Sequence, residues 1–267
     1  GTAAVHRFGL ESELRAGLDR DEIVVHYQPQ VELRTGRISG VEALVRWQHP
    51  TRGLLAPGEF LPVAEDSGLI VELGRRVLEL AVGQVARWRR RRDTADLTLS
   101  VNFSAQELLH ADRLQETLRL LEAAELAPGN LTVEVLESVL FDDEGTMRGV
   151  LLGFVRAGIR LALDDFGTGS SPLTGLRDVP VSALKIDRAF VAGIGSSAQD
   201  EAIIRAIRSL TDDLGLGCVA EGVEDETQRG WLTATGVECA QGYLLYRPLT
   251  ADALDALLQH GGPSAGG

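Results

Sequence analysis

The sequence predicts a (β/α)8 barrel, and three observations predict it. Apolar runs of four to six residues, bounded by turn residues, alternate with segments of helical periodicity along the whole chain, the pattern of buried strands joined by crossover helices. About eight such units fit the 267 residues, close to the usual length of a barrel of this class. Several of the runs end in a carboxylate or an amide: Glu42 opens E-A-L-V-R-W, Asn102 closes L-T-L-S-V-N, Glu134 ends L-T-V-E, Asp164 and Asp165 close L-A-L-D-D, and Glu221 closes C-V-A-E. Strand C-termini in a barrel point to one face, where active sites are built.

Taken in order, residues 1–20 read as a polar lead-in helix, residues 21–260 as the barrel, and residues 261–267 as a disordered Gly-rich tail. Ile23–Gln28 is β-branched and aromatic enough for a first strand, and Gly40–Val45 for a second. A helix then runs from about Phe60 to Arg92, with Gly68 a point where it can divide. Leu97–Asn102 is a strand followed by a helix over Ala105–Ala124, and Leu131–Val135 a strand followed by a helix over Asp143–Ala157. Leu161–Asp165 is a strand leading into a Gly-rich loop and a short helix near Pro172–Leu176. Strands at Ala183–Ile186 and Gly217–Ala220 precede helices at Gln199–Leu214 and Asp225–Thr235; a last strand at Cys239–Leu244 precedes a helix at Ala251–Leu258. No linker or composition shift divides the chain.

Net charge is −13 and the isoelectric point is near 4.9, which argues against a partner that is a nucleic-acid polymer held by basic neutralisation. An anionic substrate is still accessible if bound cations reverse the local sign. Cys218 and Cys239 lie inside apolar runs and form no disulfide framework, which points to a reducing, cytoplasmic setting. No apolar run approaches 18 residues, so membrane contact by this domain is not expected.

A carboxylate at the end of a buried strand is costly unless something compensates it. Singly, Glu42 could be an exposed strand end and Asn102 an N-cap; Asp164 and Asp165 together favour a bridging cation. Lys185, in A-L-K-I-D-R, either pairs with a neighbouring carboxylate or orients a water on a metal. Glu59, in P-G-E-F-L-P, suits the first turn of a helix. His6, His26, His49, His110 and His260 suit surface or core positions. An all-oxygen ligand set points to Mg²⁺ or Mn²⁺ rather than zinc.

These segments resemble the EAL family of cyclic di-GMP phosphodiesterases. The resemblance runs through Tyr27-Gln28-Pro29, E-A-L-V-R-W at Glu42–Trp47, P-G-E-F-L-P-V-A-E-D-S-G-L-I at Pro57–Ile70 and S-V-N-F-S-A at Ser100–Ala105. It continues through L-T-V-E-V-L-E-S at Leu131–Ser138, D-D-F-G-T-G-S-S at Asp164–Ser171, L-K-I-D-R-A-F-V at Leu184–Val191, A-E-G-V-E at Ala220–Glu224 and Q-G-Y-L at Gln241–Leu244. It implies a TIM-like barrel with an antiparallel first strand and hydrolysis of cyclic di-GMP to linear pGpG. By the same resemblance Glu42, Asn102, Glu134 and Asp164 hold one Mg²⁺ or Mn²⁺, and Asp164, Asp165 and Glu221 a second. Ca²⁺ is expected to inhibit. Lys185 orients the attacking water, and Glu221 is either the general base or mainly a ligand of the second ion, directly or through water. Arg46 contacts a phosphate, with Gln28, Leu44 and Gln241 beside the substrate, while Glu137 anchors the loop after Asp165. The resemblance further implies a homodimer, and fusion to sensory or cyclase domains in a parent protein that can itself be membrane-anchored. An inactive cyclic di-GMP receptor is the alternative; such receptors usually lack one of the ligands, whereas all stand here. Leu136, where Thr is usual, and Ser170 and Pro172 in the loop depart from the family pattern.

Overall fold

The computed structural model describes residues 2–141, 145–167, 176 and 178–259. After α1 (Thr2–Asp19), the long strands β1 (Ile23–Glu32) and β2 (Ile38–His49) form a hairpin, and β3 (Gly53–Leu55) folds back antiparallel on the end of β2. Helices α2 (Pro57–Ser67) and α3 (Ile70–Arg89) follow. Gly68 divides them in the left-handed conformation (φ 76°) as the C-cap of α2, a conformation that favours a residue without Cβ. Glu59 accepts the Ala56 N–H at 2.8 Å in the first turn of α2.

The remaining strands are β4 (Thr98–Asn102), β5 (Leu131–Leu136), β6 (Arg160–Phe166), β7 (Ala183–Ile186), β8 (Gly217–Ala220) and β9 (Cys239–Ala240). The sheet closes in the order β1-β9-β8-β7-β6-β5-β4-β2, with β2 returning to β1. Strand β1 runs antiparallel to both neighbours, and the other pairings around the ring are parallel. The expected eight-stranded barrel with an antiparallel first strand is therefore the observed one.

Two expectations are corrected. The helix expected over Ala105–Ala124 is two, α4 (Ala105–Leu109) and α5 (Arg113–Ala123), with extended backbone at His110. Glu107 explains the break. It accepts the Ser104 N–H at 2.9 Å and pairs with Arg113 at 2.9 Å, both partners of the ion pair almost completely buried, so the chain turns to bring Arg113 back. The last strand is short: beyond Ala240 the chain turns, and Gln241 N–H donates to Ala220 O at 2.8 Å while Val223 N–H donates to Gln241 O at 3.1 Å. Gly242 passes so close to Val223 that a Cβ there would lie 2.2 Å from its backbone. The short β3 and a five-residue helix α7 (Arg188–Ala192), capped by Asp187, were not anticipated. Helices α6 (Thr146–Arg156), α8 (Ala198–Leu214), α9 (Glu226–Thr235) and α10 (Ala251–Gln259) lie close to their expected positions. The short helix expected near Pro172–Leu176 and the tail at 261–267 fall outside the described residues, Leu176 apart.

Side chains alternate across the barrel wall. Leu99, Val101, Leu131, Val133, Val135, Leu161, Leu163, Leu184 and Ile186 are buried in the hydrophobic core between strands and helices. The intervening residues Ser100, Thr132, Ala162 and Ala183 are small or polar, and with Val219 they line a cavity of about 820 Å³. Barrel interiors are ordinarily filled by bulky branched side chains; this one leaves a cavity, and the apolar core is the shell outside the strands. The cavity opens where the parallel strands begin, and its lining includes Glu134 and Lys185.

Candidate active site

The inward parity that leaves the lower barrel hollow carries the polar ends of the strands into one cluster. Glu42 sits mid-strand rather than at a strand end, because β2 outruns its neighbour: its pairing with β4 stops at Ala43, and β2 continues against β1 and β3. Glu42 therefore still lies at the upper edge of the barrel wall, with Leu44 and Arg46 following on the same face. Asn102 pairs with Glu134 across β4 and β5, and Lys185 lies on β7 opposite Val219 of β8.

Lys185 is the hub. Its Nζ lies 2.5 Å from Glu134, 2.7 Å from Glu221, 3.2 Å from Asp164 and 3.5 Å from Glu42, and it is 1% exposed. Amides tie the carboxylates further. Asn102 Nδ2 donates to Glu42 Oε1 at 2.6 Å, and Gln241 Nε2 donates to Glu42 Oε2 at 2.6 Å and to Glu221 Oε1 at 2.9 Å.

Two adjacent carboxylates on a regular strand point to opposite faces. The register of β6 against β7 slips between Leu163 and Phe166, and Asp165 takes a left-handed backbone (φ 54°), which Asp tolerates better than most residues. The irregularity re-aims the side chains. Asp164, Asp165 and Glu221 each bring a carboxylate oxygen within 4.8 Å of the others, a grouping that could hold a metal ion. Gly167 N–H, just beyond, donates to Glu137 Oε2 at 3.1 Å, so the buried Glu137 fixes the backbone leaving β6.

One ammonium faces four carboxylates, and the electrostatics show the excess. Glu134 is pushed up to about 8, first by burial and then by Glu42 and Asp164, against the pull of Lys185. Glu221 is pushed up to about 7 by burial and the same neighbours, and Asp165 to about 6 by burial, Asp187 and Asp164. Glu42 moves the other way: Lys185, Gln241 and Asn102 outweigh its burial and hold it below the usual carboxylate range. Burial disfavours charge on Lys185, but the surrounding carboxylates outweigh it and raise its pKa. A buried set of oxygens with surplus negative charge and no imidazole or thiolate suits hard divalent cations.

Other expected residues lie around this cluster. Gln28, paired with Glu42 across the hairpin, donates through Nε2 to Tyr246 O. It lines a cleft of about 170 Å³ with Arg188, Glu221, Glu224, Gln241 and Tyr243. Leu44 lines an apolar cleft of about 300 Å³ with Leu61, Asn102, Glu134 and Leu136. Arg46 is partly buried, and its Nη1 donates to Val45 O at 2.7 Å rather than to the cluster. The cavity of about 820 Å³ opens at the opposite barrel end and reaches the cluster from below at Glu134 and Lys185, whereas these two clefts flank the carboxylates from above. Two neighbours were not singled out from the sequence: Asp187, whose side chain raises the proton affinity of Asp165, and Gln30, whose Nε2 reaches Gln241 Oε1 at 3.3 Å. The L-K-I-D string carried a signal for Asp187; nothing in the pattern marked Gln30.

The EAL domain family matches residues 11–248. The chain belongs to that family. This EAL domain is 41% identical over 251 residues to MucR of Pseudomonas aeruginosa, a bifunctional diguanylate cyclase/cyclic di-GMP phosphodiesterase, covering 94% of the chain and 36% of the relative. It is 38% identical to the cyclic di-GMP phosphodiesterase PdeR of Escherichia coli, covering 92% of the chain and 37% of the relative. The EAL domain thus spans little more than a third of the length of these curated relatives. The solved PaMucR phosphodiesterase, in complex with c-di-GMP, superposes with a TM-score of 0.88 at 42% identity, covering 92% of this chain and 99% of that one. No described helix of the EAL domain is long and apolar enough to cross a membrane.

Proposed function

We propose that this EAL domain hydrolyses cyclic di-GMP to linear pGpG with two Mg²⁺ or Mn²⁺ ions. The observation that carries the reading is the complete carboxylate and amide cluster around Lys185, on a chain whose relatives are named as cyclic di-GMP phosphodiesterases. Glu42, Asn102, Glu134 and Asp164 would hold one ion; Asn102 spends Nδ2 on Glu42 and keeps its Oδ1 as a ligand. Asp164, Asp165 and Glu221 would hold the other. When bound, such ions neutralise phosphoryl oxygens and make an attacking water more acidic.

The side chains do the rest. Glu221 takes the water's proton as its oxygen attacks phosphorus. The P–O3′ bond breaks in line, and the leaving oxygen takes up a proton to become the 3′-hydroxyl of pGpG. Lys185 orients the water, and its ammonium limits repulsion among the carboxylates. Arg46 swings from its backbone contact to a phosphate oxygen, while Leu44, Gln28 and Gln241 flank the substrate. Glu137 holds the loop that carries Asp165. A homodimer in the cytoplasm, fused to sensory or cyclase domains, belongs to the same reading. A receptor without turnover is less well supported, because the whole ligand set is retained.

Incubating the purified domain with cyclic di-GMP tests the reading. Linear pGpG is expected with Mg²⁺ or Mn²⁺ and little with Ca²⁺, whose longer bonds and looser geometry spoil the spacing needed for in-line attack. Binding without product in every cation would favour the receptor; full turnover in excess chelator would remove the metal assignment.

A pH dependence follows from the raised carboxylates. Glu134, Glu221 and Asp165 titrate near 8, 7 and 6, above their ordinary values. Their contribution to the cation-free fold is present below the ordinary carboxylate range and is lost as pH rises through those values. Cations bind the deprotonated form and relieve that loss. The rise in thermal midpoint on adding Mn²⁺ should therefore be larger near pH 8 than near pH 6. An equal rise at both would mean that these groups do not receive the ion.

A further inference from the structure

We propose that Gln30 is a positioning residue that sets the orientation of the Gln241 amide and, through it, the spacing of Glu42 and Glu221. The proposal rests on the metal-dependent reading above only in supposing that these carboxylates receive cations. The Gln241 NH₂ group lies between two acids, donating to Glu42 Oε2 at 2.6 Å and to Glu221 Oε1 at 2.9 Å. That uses both of its hydrogens. Turned over, the amide would present its oxygen to both carboxylates and replace two hydrogen bonds by two oxygen–oxygen contacts. The oxygen end is what tells the two orientations apart, and Gln30 Nε2 stands there at 3.3 Å.

Gln30 is built to stay in place. It is 8% exposed, one inward position along β1 from Gln28, and its Nε2 also lies 3.5 Å from Ser100 Oγ. Its partner across the hairpin is Gly40. A Cβ on residue 40 would lie 2.9 Å from Gln30 Oε1 and 2.5 Å from Thr98 Oγ1, so the bare glycine makes the room that the Gln30 side chain fills. The hairpin register slips just after Gln30, which ends regular pairing at the residue that must face the barrel axis. The resulting chain of contacts runs from Ser100 through Gln30 and Gln241 to Glu42 and Glu221, and couples the floor of the site to residues on both sides of it. Partners that orient ligands from behind typically change metal affinity or activity by about 10–100-fold when removed.

The test uses two replacements of Gln30 in the purified domain. Gln30→Met keeps the length and removes the donor; Gln30→His keeps a ring N–H of similar reach. Calorimetric titration of each with Mn²⁺ should show Gln30→Met about ten-fold weaker than the parent and Gln30→His much closer to it. Their far-ultraviolet circular dichroism should match that of the parent. If Gln30→Met fails to fold, Gly40→Ala, which displaces the end of Gln30 by contact, is read in its place with the same expected loss. Parent-like affinity in the donor-less variant overturns the proposal. So does an equal loss in the Met and His variants, which would make Gln30 a matter of shape alone. The titration needs no nucleotide: a parent domain that binds Mn²⁺ but does not hydrolyse cyclic di-GMP would defeat the proposed function and leave this inference standing.

Discussion

Glu42→Gln is expected to reduce hydrolysis of cyclic di-GMP by more than about 100-fold, the scale seen when one group stabilising developing charge is lost, and to leave the barrel folded. The glutamine keeps the volume of a side chain that is 4% exposed. It also keeps an oxygen for the Asn102 N–H that now reaches Glu42 Oε1 at 2.6 Å. What disappears is one negative charge from a set expected to hold cations, together with the acceptor for Gln241 Nε2, which reaches Glu42 Oε2 at 2.6 Å. Glu42→Ala should be equally inactive and somewhat less stable, because buried donors on Asn102 and Gln241 lose their acceptor, at about 1–3 kcal/mol for an unsatisfied buried group. Circular dichroism and a product assay on both variants separate the outcomes. A Glu42→Gln protein that turns over normally would remove Glu42 from the metal site; inactivity only through loss of fold would make it structural.

Lys185→Met should have the largest effect on stability. The ammonium contacts Glu42, Glu134, Asp164 and Glu221, and its removal leaves buried carboxylates without a compensating charge. Breaking a buried ion pair by deleting one partner costs roughly 3–5 kcal/mol. For a domain of this size that corresponds to a fall in thermal midpoint of about 6–20 °C. The fall should grow from about pH 6 to pH 8: without the ammonium that lowers their proton affinity, Glu221 and Glu134 hold protons that the parent sheds over this range, and the folded variant therefore loses more stability as pH rises. Mn²⁺ should recover part of the stability by replacing the missing positive charge, yet turnover should stay low because the water-orienting group is gone. A cation-free Lys185→Met domain as stable as the parent at pH 8 would show that the carboxylates are not held together by this ion pair.

Much of this was legible in the sequence because it is local. Runs such as Leu131–Val135 and Ala183–Ile186 declare buried strands by composition, and Glu134 and Lys185 declare themselves by standing as charges within or at the end of them. Helix ends carried by Gly68 and Asp225 are equally local, since a left-handed cap and an N-cap side chain are chosen within a turn of the chain. The break between α4 and α5 was not legible. Residues 105–124 are mostly good helix formers, with only His110, Asp112 and Thr117 weaker, and the burial of Arg113 against Glu107, a pairing made in the folded state, decides where the helix divides. The end of β9 was missed for a related reason: C-A-Q-G-Y-L reads as a strand, but the approach of Gly242 to Val223 turns the chain after Ala240.

The sequence by itself determined which side chains are available: the barrel alternation, the carboxylates and amides at strand ends, and the absence of any imidazole or thiolate among them. Tertiary structure decided how they act together. It placed one ammonium among four carboxylates, turned Asp164 and Asp165 toward Glu221 by a slip in register, left the lower barrel hollow, and brought Gln30 to the oxygen of Gln241. The physical reason is range. Strand and cap preferences are settled within a few residues, whereas proton affinities and amide orientations depend on charges and donors brought within about 3 Å from strands as distant in sequence as β1 and β9.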